Sequence, residues 1–252
     1  MFNLYFLVRK IIVKLVKTLT SSLTYSISII IPAYNEEESI HLVLEEIPKH
    51  LINQNYEIIV IDDGSIDNTS HIVQNYNNVK LLKHSENLGK GTALRTGFDQ
   101  SIGEILLIQD ADMEYHPKDI PKLVFPILSG KADVVYGSRF KENDIKMSMS
   151  MSHKIGNKVL SLATRILYGF QTTDMETGYK VFKRELINNV TLRANSFNIE
   201  PELTAIFSKR KARYSEVAID YNYRKTGIAK ITWIDGIIAL WWLIKMKFKK
   251  ID

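Results

Sequence analysis

Five short apolar runs rich in β-branched residues, at 26–31, 57–61, 79–83, 104–109 and 132–137, alternate with segments whose apolar positions recur at helical spacing. The helical segments are 37–51, 68–75, 91–101 and 117–129. Apolar runs with little polar alternation read as strands buried on both faces. Strands that alternate with helices pair in parallel through right-handed crossovers. The pattern therefore predicts an α/β domain with a mostly parallel central sheet flanked by helices. A chain of 252 residues is long enough to bury one such core. Beyond residue 140 the pattern is less regular, with helices expected at 154–168, 200–211 and 232–247 and extended segments at 178–183 and 212–223.

In open sheets of this kind, ligands bind beyond the C-terminal ends of the strands. The polar residues that a core would not contain fall there: Tyr34-Asn35-Glu36, Asp62-Asp63, Asp110-Ala111-Asp112 and Ser138-Arg139. Four loops are thus expected on one rim. Asp110 and Asp112, two residues apart past a buried strand, can offer oxygens to one hard divalent cation, with Glu114 as a third candidate. Read alone, Asp112 could equally cap a turn before Pro117. Asp62-Asp63-Gly64-Ser65 serves either as a turn with a helix cap or as acceptors for base and ribose hydroxyl donors. Asn87-x-Gly89-Lys90-Gly91 is a turn into a helix that could also face an anion. Neither a G-x-x-x-x-G-K-[ST] phosphate loop nor a G-x-G-x-x-G dinucleotide fingerprint is present.

Taken in order, Pro32-Ala33-Tyr34-Asn35-Glu36-Glu37, Asp62-Asp63-Gly64-Ser65, Asn87-x-Gly89-Lys90-Gly91, Asp110-Ala111-Asp112 and Tyr136-Gly137-Ser138-Arg139-Phe140 resemble the family 2 glycosyltransferases of the GT-A fold. The resemblance is strongest to dolichyl- and polyprenyl-phosphate mannose and glucose synthases. Thr173-Asp174-Met175-Glu176-Thr177-Gly178-Tyr179-Lys180 and Arg224-x-x-Gly227-x-x-Lys230 extend it, so that it spans roughly residues 27–247. It implies that Pro32, Tyr34, Glu36, Ile61 and Asp63, with Asp110 and Ala111, line the nucleotide-sugar pocket. It implies further that Asp110 and Asp112 bind Mg²⁺ or Mn²⁺ bridging the diphosphate. Glu114 stands where relatives often carry Gln. Arg139 would meet a phosphate, and Arg224 and Lys230 would close a basic loop, shorter here than in many relatives, over the donor. Asp112, Arg139, Arg224 and Lys230 are then the catalytic set. His153 and Asn157 fall where acceptor-phosphate contacts are expected, His153 replacing the usual Arg. Asp174 and Glu176 would orient loops or support structure.

The implied reaction is inverting, metal-dependent transfer of a hexosyl group from a nucleotide diphosphate sugar, of GDP-mannose or UDP-glucose type, to a polyprenyl or dolichyl phosphate. Two alternatives stay open: a family 2 transferase acting on a saccharide hydroxyl, with Glu200 or Asp174 as base, and a non-catalytic membrane-binding scaffold. No Gln-x-x-Arg-Trp signature of processive polysaccharide synthesis occurs. The absence of cysteine excludes disulfides, thiolate catalysis and Cys-type metal sites.

Residues 1–25 contain apolar positions at helical spacing with Arg9, Lys10, Lys14 and Lys17 among them, and fit a basic amphipathic helix, interfacial or packed on its own domain or a partner, and a spacer before a catalytic domain at 26–231. Residues 232–252 form an apolar helix ending in Lys245, Lys247, Lys249 and Lys250, either packed or interfacial. The net charge of +5 is concentrated at these two ends. With no nucleic-acid motif in sight, they predict peripheral contact with the cytoplasmic face of a membrane.

Overall fold

The computed structural model describes residues 26–52, 54–141, 151–222 and 233–250. The expected N-terminal helix, Arg224 and Lys230 lie outside these residues. Seven strands form one sheet: β1 (Ile27–Ala33), β2 (Tyr56–Asp62), β3 (Val79–Lys83), β4 (Ile105–Ile108), β5 (Val134–Ser138), β6 (Lys180–Lys183) and β7 (Tyr214–Ala218). Their spatial order is β3-β2-β1-β4-β6-β5-β7. Pairing is parallel across β3, β2, β1 and β4 and between β5 and β7, while β6 runs antiparallel to both of its neighbours. The mostly parallel sheet is as expected, and β6 alone is reversed.

The helices are α1 (Ile40–His50), α2 (Thr69–Gln74), α3 (Lys90–Gln100), α4 (Ile120–Leu128), α5 (Met151–Tyr168), α6 (Ile199–Lys209) and α7 (Trp233–Phe248). Alternation along β1 sends Ile29 and Ile31 into a core with α1 and α4, and Ile30 into a second core with α3 and α6. Each face of the sheet is therefore covered, which is why its strands are apolar throughout. Gly97 in α3 is part of this fit: a Cβ there would lie 2.4 Å from Ile30 and 2.8 Å from Ile61.

β1 continues through Pro32, where the sequence suggested an end at Ile31. Pairing with β4 stops at Ile30, so Pro32 has an edge-like position on that side and its missing N–H is tolerated. The switch in strand order falls between β1 and β4, and the C-terminal ends of β1, β2, β4 and β5 share one rim.

Candidate active site

The loops after β1 and β2 are laced together. Asp63 N–H donates to the Ala33 carbonyl, Asn35 N–H to Ser65 Oγ, Glu36 N–H to Thr69 Oγ1 and Glu37 N–H to Asp67 Oδ2. Gly64 is required here: it has φ +74°, and a Cβ would meet the Glu86 carbonyl carbon at 2.3 Å. Asp62 is buried and takes its hydrogen bonds from Ser65 N–H and the Ser70 hydroxyl. Asp63 is buried as well. Its oxygens accept from the backbone N–H of Leu88 and Gly89 and meet His84 Nδ1 at 2.6 Å. In this structure, then, Asp62 and Asp63 join the β1, β2 and β3 loops. Ile61, expected in the nucleoside pocket, has its side chain fully buried in the core. Pro32 and Tyr34 are half-buried at the rim, and Glu36 is buried beneath it.

Past β4 the chain turns sharply. Met113 has φ +60°, a left-handed conformation that bulky residues adopt at a cost of about 1–3 kcal/mol. This turn lets Glu114 N–H donate to Asp112 Oδ1. Burial, together with the negative charges of Asp110, Glu114 and Glu36, raises the Asp112 carboxyl to about 7. Acidic side chains of the β1 and β4 loops thus act on Asp112 through their charge. Lys90 offsets the charge of Asp110, and an all-oxygen donor set suits a hard divalent cation. By donor chemistry these residues fit Mg²⁺ or Mn²⁺, although no three of their oxygens lie within 4.8 Å of one another in this structure. Glu114 Oε2 also accepts from the Tyr221 hydroxyl.

A buried ionic chain lies behind these acids, and only part of it was legible in the sequence. Lys90 Nζ lies 2.7 Å from Asp110 Oδ1 and 3.5 Å from Glu200 Oε1, and Lys180, fully buried in β6, pairs with Glu200 Oε2. Lys90 faces carboxylates, whereas its motif suggested a turn or an anion site. The ammonium of Lys180 also donates to the carbonyls of Met175 and Thr177 and lies 4.6 Å from the centre of the Tyr136 ring. The sign that betrays Lys180 is a cation set directly before the apolar pair Val181-Phe182 in the strand Lys180–Lys183.

Arg139 meets Asp174 through two bonds of 2.7 Å, and its guanidinium packs near the rings of Tyr115, Phe140 and Tyr221. Asp174 is fully buried. Asn157 is buried too; its side chain donates to the Thr173 carbonyl and accepts from Glu176 N–H, so it ties α5 to this loop. His153 is half-buried one turn earlier on α5. Glu176 Oε1 is buried without a hydrogen-bond partner, and burial, reinforced by Glu200, raises its carboxyl to about 7. Glu46, His50 and His116 form a separate group of possible metal ligands. Two imidazoles suit a borderline metal better than Mg²⁺, and His116 Nδ1 already accepts from Lys118 N–H.

Gly178 seals the floor of the site. A Cβ there would stand 2.4 Å from Asp110 Oδ2 and 2.9 Å from Lys90 Nζ. Both atoms end flexible side chains, so the fold can yield while the site cannot. Gly178→Ala is expected to lower turnover about tenfold or more, in line with the cost of misplacing reacting groups by about an ångström. Its melting temperature should fall by only a few degrees, from a cost of about 1 kcal/mol. Calorimetry beside initial rates checks this, and unchanged rates would show that Asp110 need not hold its place.

The family model for glycosyl transferase family 2 matches residues 28–191. A UDP-N-acetylglucosamine–dolichyl-phosphate N-acetylglucosaminyltransferase of Methanococcus voltae is 32% identical over 248 residues, covering 89% of this chain and 97% of that protein. A dolichol-phosphate mannosyltransferase of Pyrococcus furiosus is 28% identical, over 81% of this chain and 59% of its own length. In fold, the chain resembles the glucosyl-3-phosphoglycerate synthase of Mycobacterium tuberculosis, solved with Mn²⁺, UDP and phosphoglyceric acid. The TM-score is 0.69 at 20% identity, with 90% of this chain and 80% of that one covered.

Proposed function

The chain belongs to glycosyl transferase family 2, and from that premise we propose that this glycosyltransferase moves a hexosyl group from a nucleotide diphosphate sugar to a polyprenyl phosphate. The observation that supports a phosphate acceptor is the state of the two acids first considered as bases. Asp174 is locked to Arg139, and Glu200 is locked to Lys180 with Lys90 beside it. Neither is free to take a proton from a sugar hydroxyl. A phosphate monoester, with a second pKa near ~6, is already ionised at neutral pH and needs no such base. The names of the archaeal relatives, both acting on dolichyl phosphate, point the same way.

In this reading Asp110 and Asp112 hold Mg²⁺ or Mn²⁺, with Glu114 as a third oxygen. The cation, when bound, neutralises charge on the departing nucleoside diphosphate. Pro32, Tyr34 and Glu36 border the nucleotide, with Asp62 and Asp63 stiffening the loops that present it. Lys90 keeps the Asp110 carboxylate in position. Asn157 fixes the 173–176 loop beneath the acceptor, with His153 at its entrance. Arg139, oriented by Asp174, supplies positive potential to donor or acceptor phosphate. Arg224 and Lys230 belong to the basic loop that closes over the donor. Residues 1–25 and 232–252 keep the enzyme peripheral, at the cytoplasmic face, where the lipid's phosphate lies. Among the described residues no helix is long and apolar enough to cross a membrane.

A second reading, transfer to a saccharide hydroxyl, is favoured by Glu176 alone, whose unpartnered oxygen and carboxyl raised to about 7 suit a general base. One experiment separates the two. Labelled GDP-mannose, UDP-glucose and UDP-N-acetylglucosamine are each offered with polyprenyl phosphate or with saccharide acceptors, to wild type and to Glu176→Gln. Transfer to the lipid phosphate that falls less than about tenfold in Glu176→Gln is expected. Transfer only to saccharides, lost about 10²–10⁴-fold in the variant, would replace this function with the second.

A further inference from the structure

At the end of the sheet opposite the carboxylates lies an open bowl of about 980 Å³. It is placed by Asp133 and Ala212, which precede β5 and β7, and by the last turn of α7. Six cations line it: Lys209, Arg210, Lys211, Lys247, Lys249 and Lys250. Two acids, Asp133 and Glu185, share the lining, so cations outnumber acids there. Both acids are engaged with cations outside the bowl, Asp133 with Arg213 and Lys183 and Glu185 with Lys183. Among the described residues none of the six cations pairs with a carboxylate. Three of them are held by neutral carbonyls instead: Arg210 by those of Glu185 and Asn188, Lys209 by that of Lys249, Lys247 by that of Leu167. Burial, and then repulsion from Lys247 and Lys249, lowers the pKa of Lys209.

The bowl adjoins an unusual apolar surface. From α7, Ile234, Ile237, Trp241, Ile244 and Phe248 are exposed, Phe248 by 84%. From α5, Met151, Ile155, Val159, Leu162 and Ile166 are exposed. The two helices pack through Leu160, Ala239 and Leu243, and the Tyr168 hydroxyl donates to the Leu243 carbonyl, so both stripes belong to one two-helix layer. Lys245 lies over the rings of Trp241 and Trp242 at 4.5 and 5.0 Å, an aromatic and cationic pairing typical of an interface between lipid and water. The opposite face of α5 contributes Asn157 to the site. A surface covering α5 and α7 would therefore reach from the acceptor loop to the bowl.

We propose that the bowl and the exposed faces of α5 and α7 together form a docking surface for a bilayer bearing anionic phosphate headgroups, with the headgroups seated in the bowl and the apolar side chains entering the acyl boundary. Charge complementarity selects anionic over zwitterionic lipid, and the apolar stripes select a bilayer over a nucleic acid or a soluble phosphate. The proposal rests on the lipid-acceptor reading for its purpose, and its test does not need transfer to occur.

Full-length protein is floated with vesicles of phosphatidylcholine alone and of phosphatidylcholine with phosphatidylglycerol. Wild type is expected to prefer the anionic vesicles. The double variant Lys247→Glu/Lys250→Glu should lose at least about a hundredfold of that partitioning, at roughly fivefold for each unit of charge removed near the surface. Phe248→Ser should weaken binding to both vesicle types, and its retained melting temperature guards against a folding artefact. Transfer to a short, water-soluble acceptor phosphate should be equal in wild type and in the double variant. Vesicle binding unaffected by both variants would overturn the proposal. So would a bowl protected equally well by inorganic phosphate without vesicles, or tighter binding to RNA than to anionic vesicles. Intact vesicle binding with no transfer to any acceptor phosphate would overturn the acceptor reading and leave the docking surface standing.

Discussion

Asp112→Asn is expected to lower transfer by at least about 10²–10³-fold, the usual cost of removing one preorganised group that stabilises charge in a transition state. The substitution keeps the shape of the side chain and its acceptor for Glu114 N–H, and removes only the charge. Mn²⁺ affinity, read by electron paramagnetic resonance, should fall with it. The same variant has a second signature that needs no substrate. In chelator, Asp112 is held among Asp110, Glu114 and Glu36 with its carboxyl raised to about 7, well above the ~3.9 of an unfolded chain. Between those values the native state binds more protons than the unfolded state, so the stability contributed by protonated Asp112 is lost as pH rises through about 7. Asparagine cannot ionise. Metal-free Asp112→Asn should therefore melt above wild type at about pH 8, and the two should converge near ~4. Turnover within a factor of about two of wild type, together with superimposable pH curves, would remove Asp112 from the metal site.

Glu200→Ala is expected to be the most damaging single change to the fold. Lys180 is fully buried and already pushed below its ordinary pKa by burial, with Glu200 as the main opposing influence. Removing that carboxylate leaves an ammonium in the interior with two carbonyls, a tyrosine ring and the more weakly acting Glu176, and leaves Lys90 with Asp110 alone. Breaking a buried pair from one side costs about 3–5 kcal/mol. In a domain of this size each kcal/mol is worth about 2–4 °C, so melting should drop by roughly 6–20 °C. The double variant Glu200→Leu/Lys180→Met removes both charges and should recover most of the loss, since an apolar pair of similar volume is often no less stable. Thermal denaturation followed by circular dichroism decides it. A Glu200→Ala protein melting within about 2 °C of wild type would show that Lys180 finds water or another acceptor.

Most of the fold could be read along the chain because its signals are local. The apolar runs at 57–61 and 79–83 became β2 and β3 almost to the residue, and helix spacing placed α1, α3 and α6. Burial on both faces imposes its pattern whatever the rest of the chain does. The convergence of Glu36, Asp110 and Asp112 on one rim followed from the same logic, because parallel strands bring their C-terminal ends together. What the acids do to one another could not be read this way. Asp62 and Asp63 could be read either as turn and cap residues or as acceptors for a ligand, and in the structure their oxygens accept from backbone and side-chain donors of the β2 and β3 loops. Arg139 looked like a phosphate contact and is held by Asp174, 35 residues away.

By itself, then, the sequence determined the α/β architecture, the rim on which chemistry gathers and the family, because periodicity and short motifs are written within a few residues of one another. The tertiary structure alone decided the reversal of β6, the pairing of Lys90 and Lys180 with Asp110 and Glu200, the isolation of Glu176, and the meeting of the Lys209–Lys211 turn with the end of α7. Each of these is a contact across long stretches of chain. Its energy depends on distance and burial, and neither quantity exists until the sheet has closed around it.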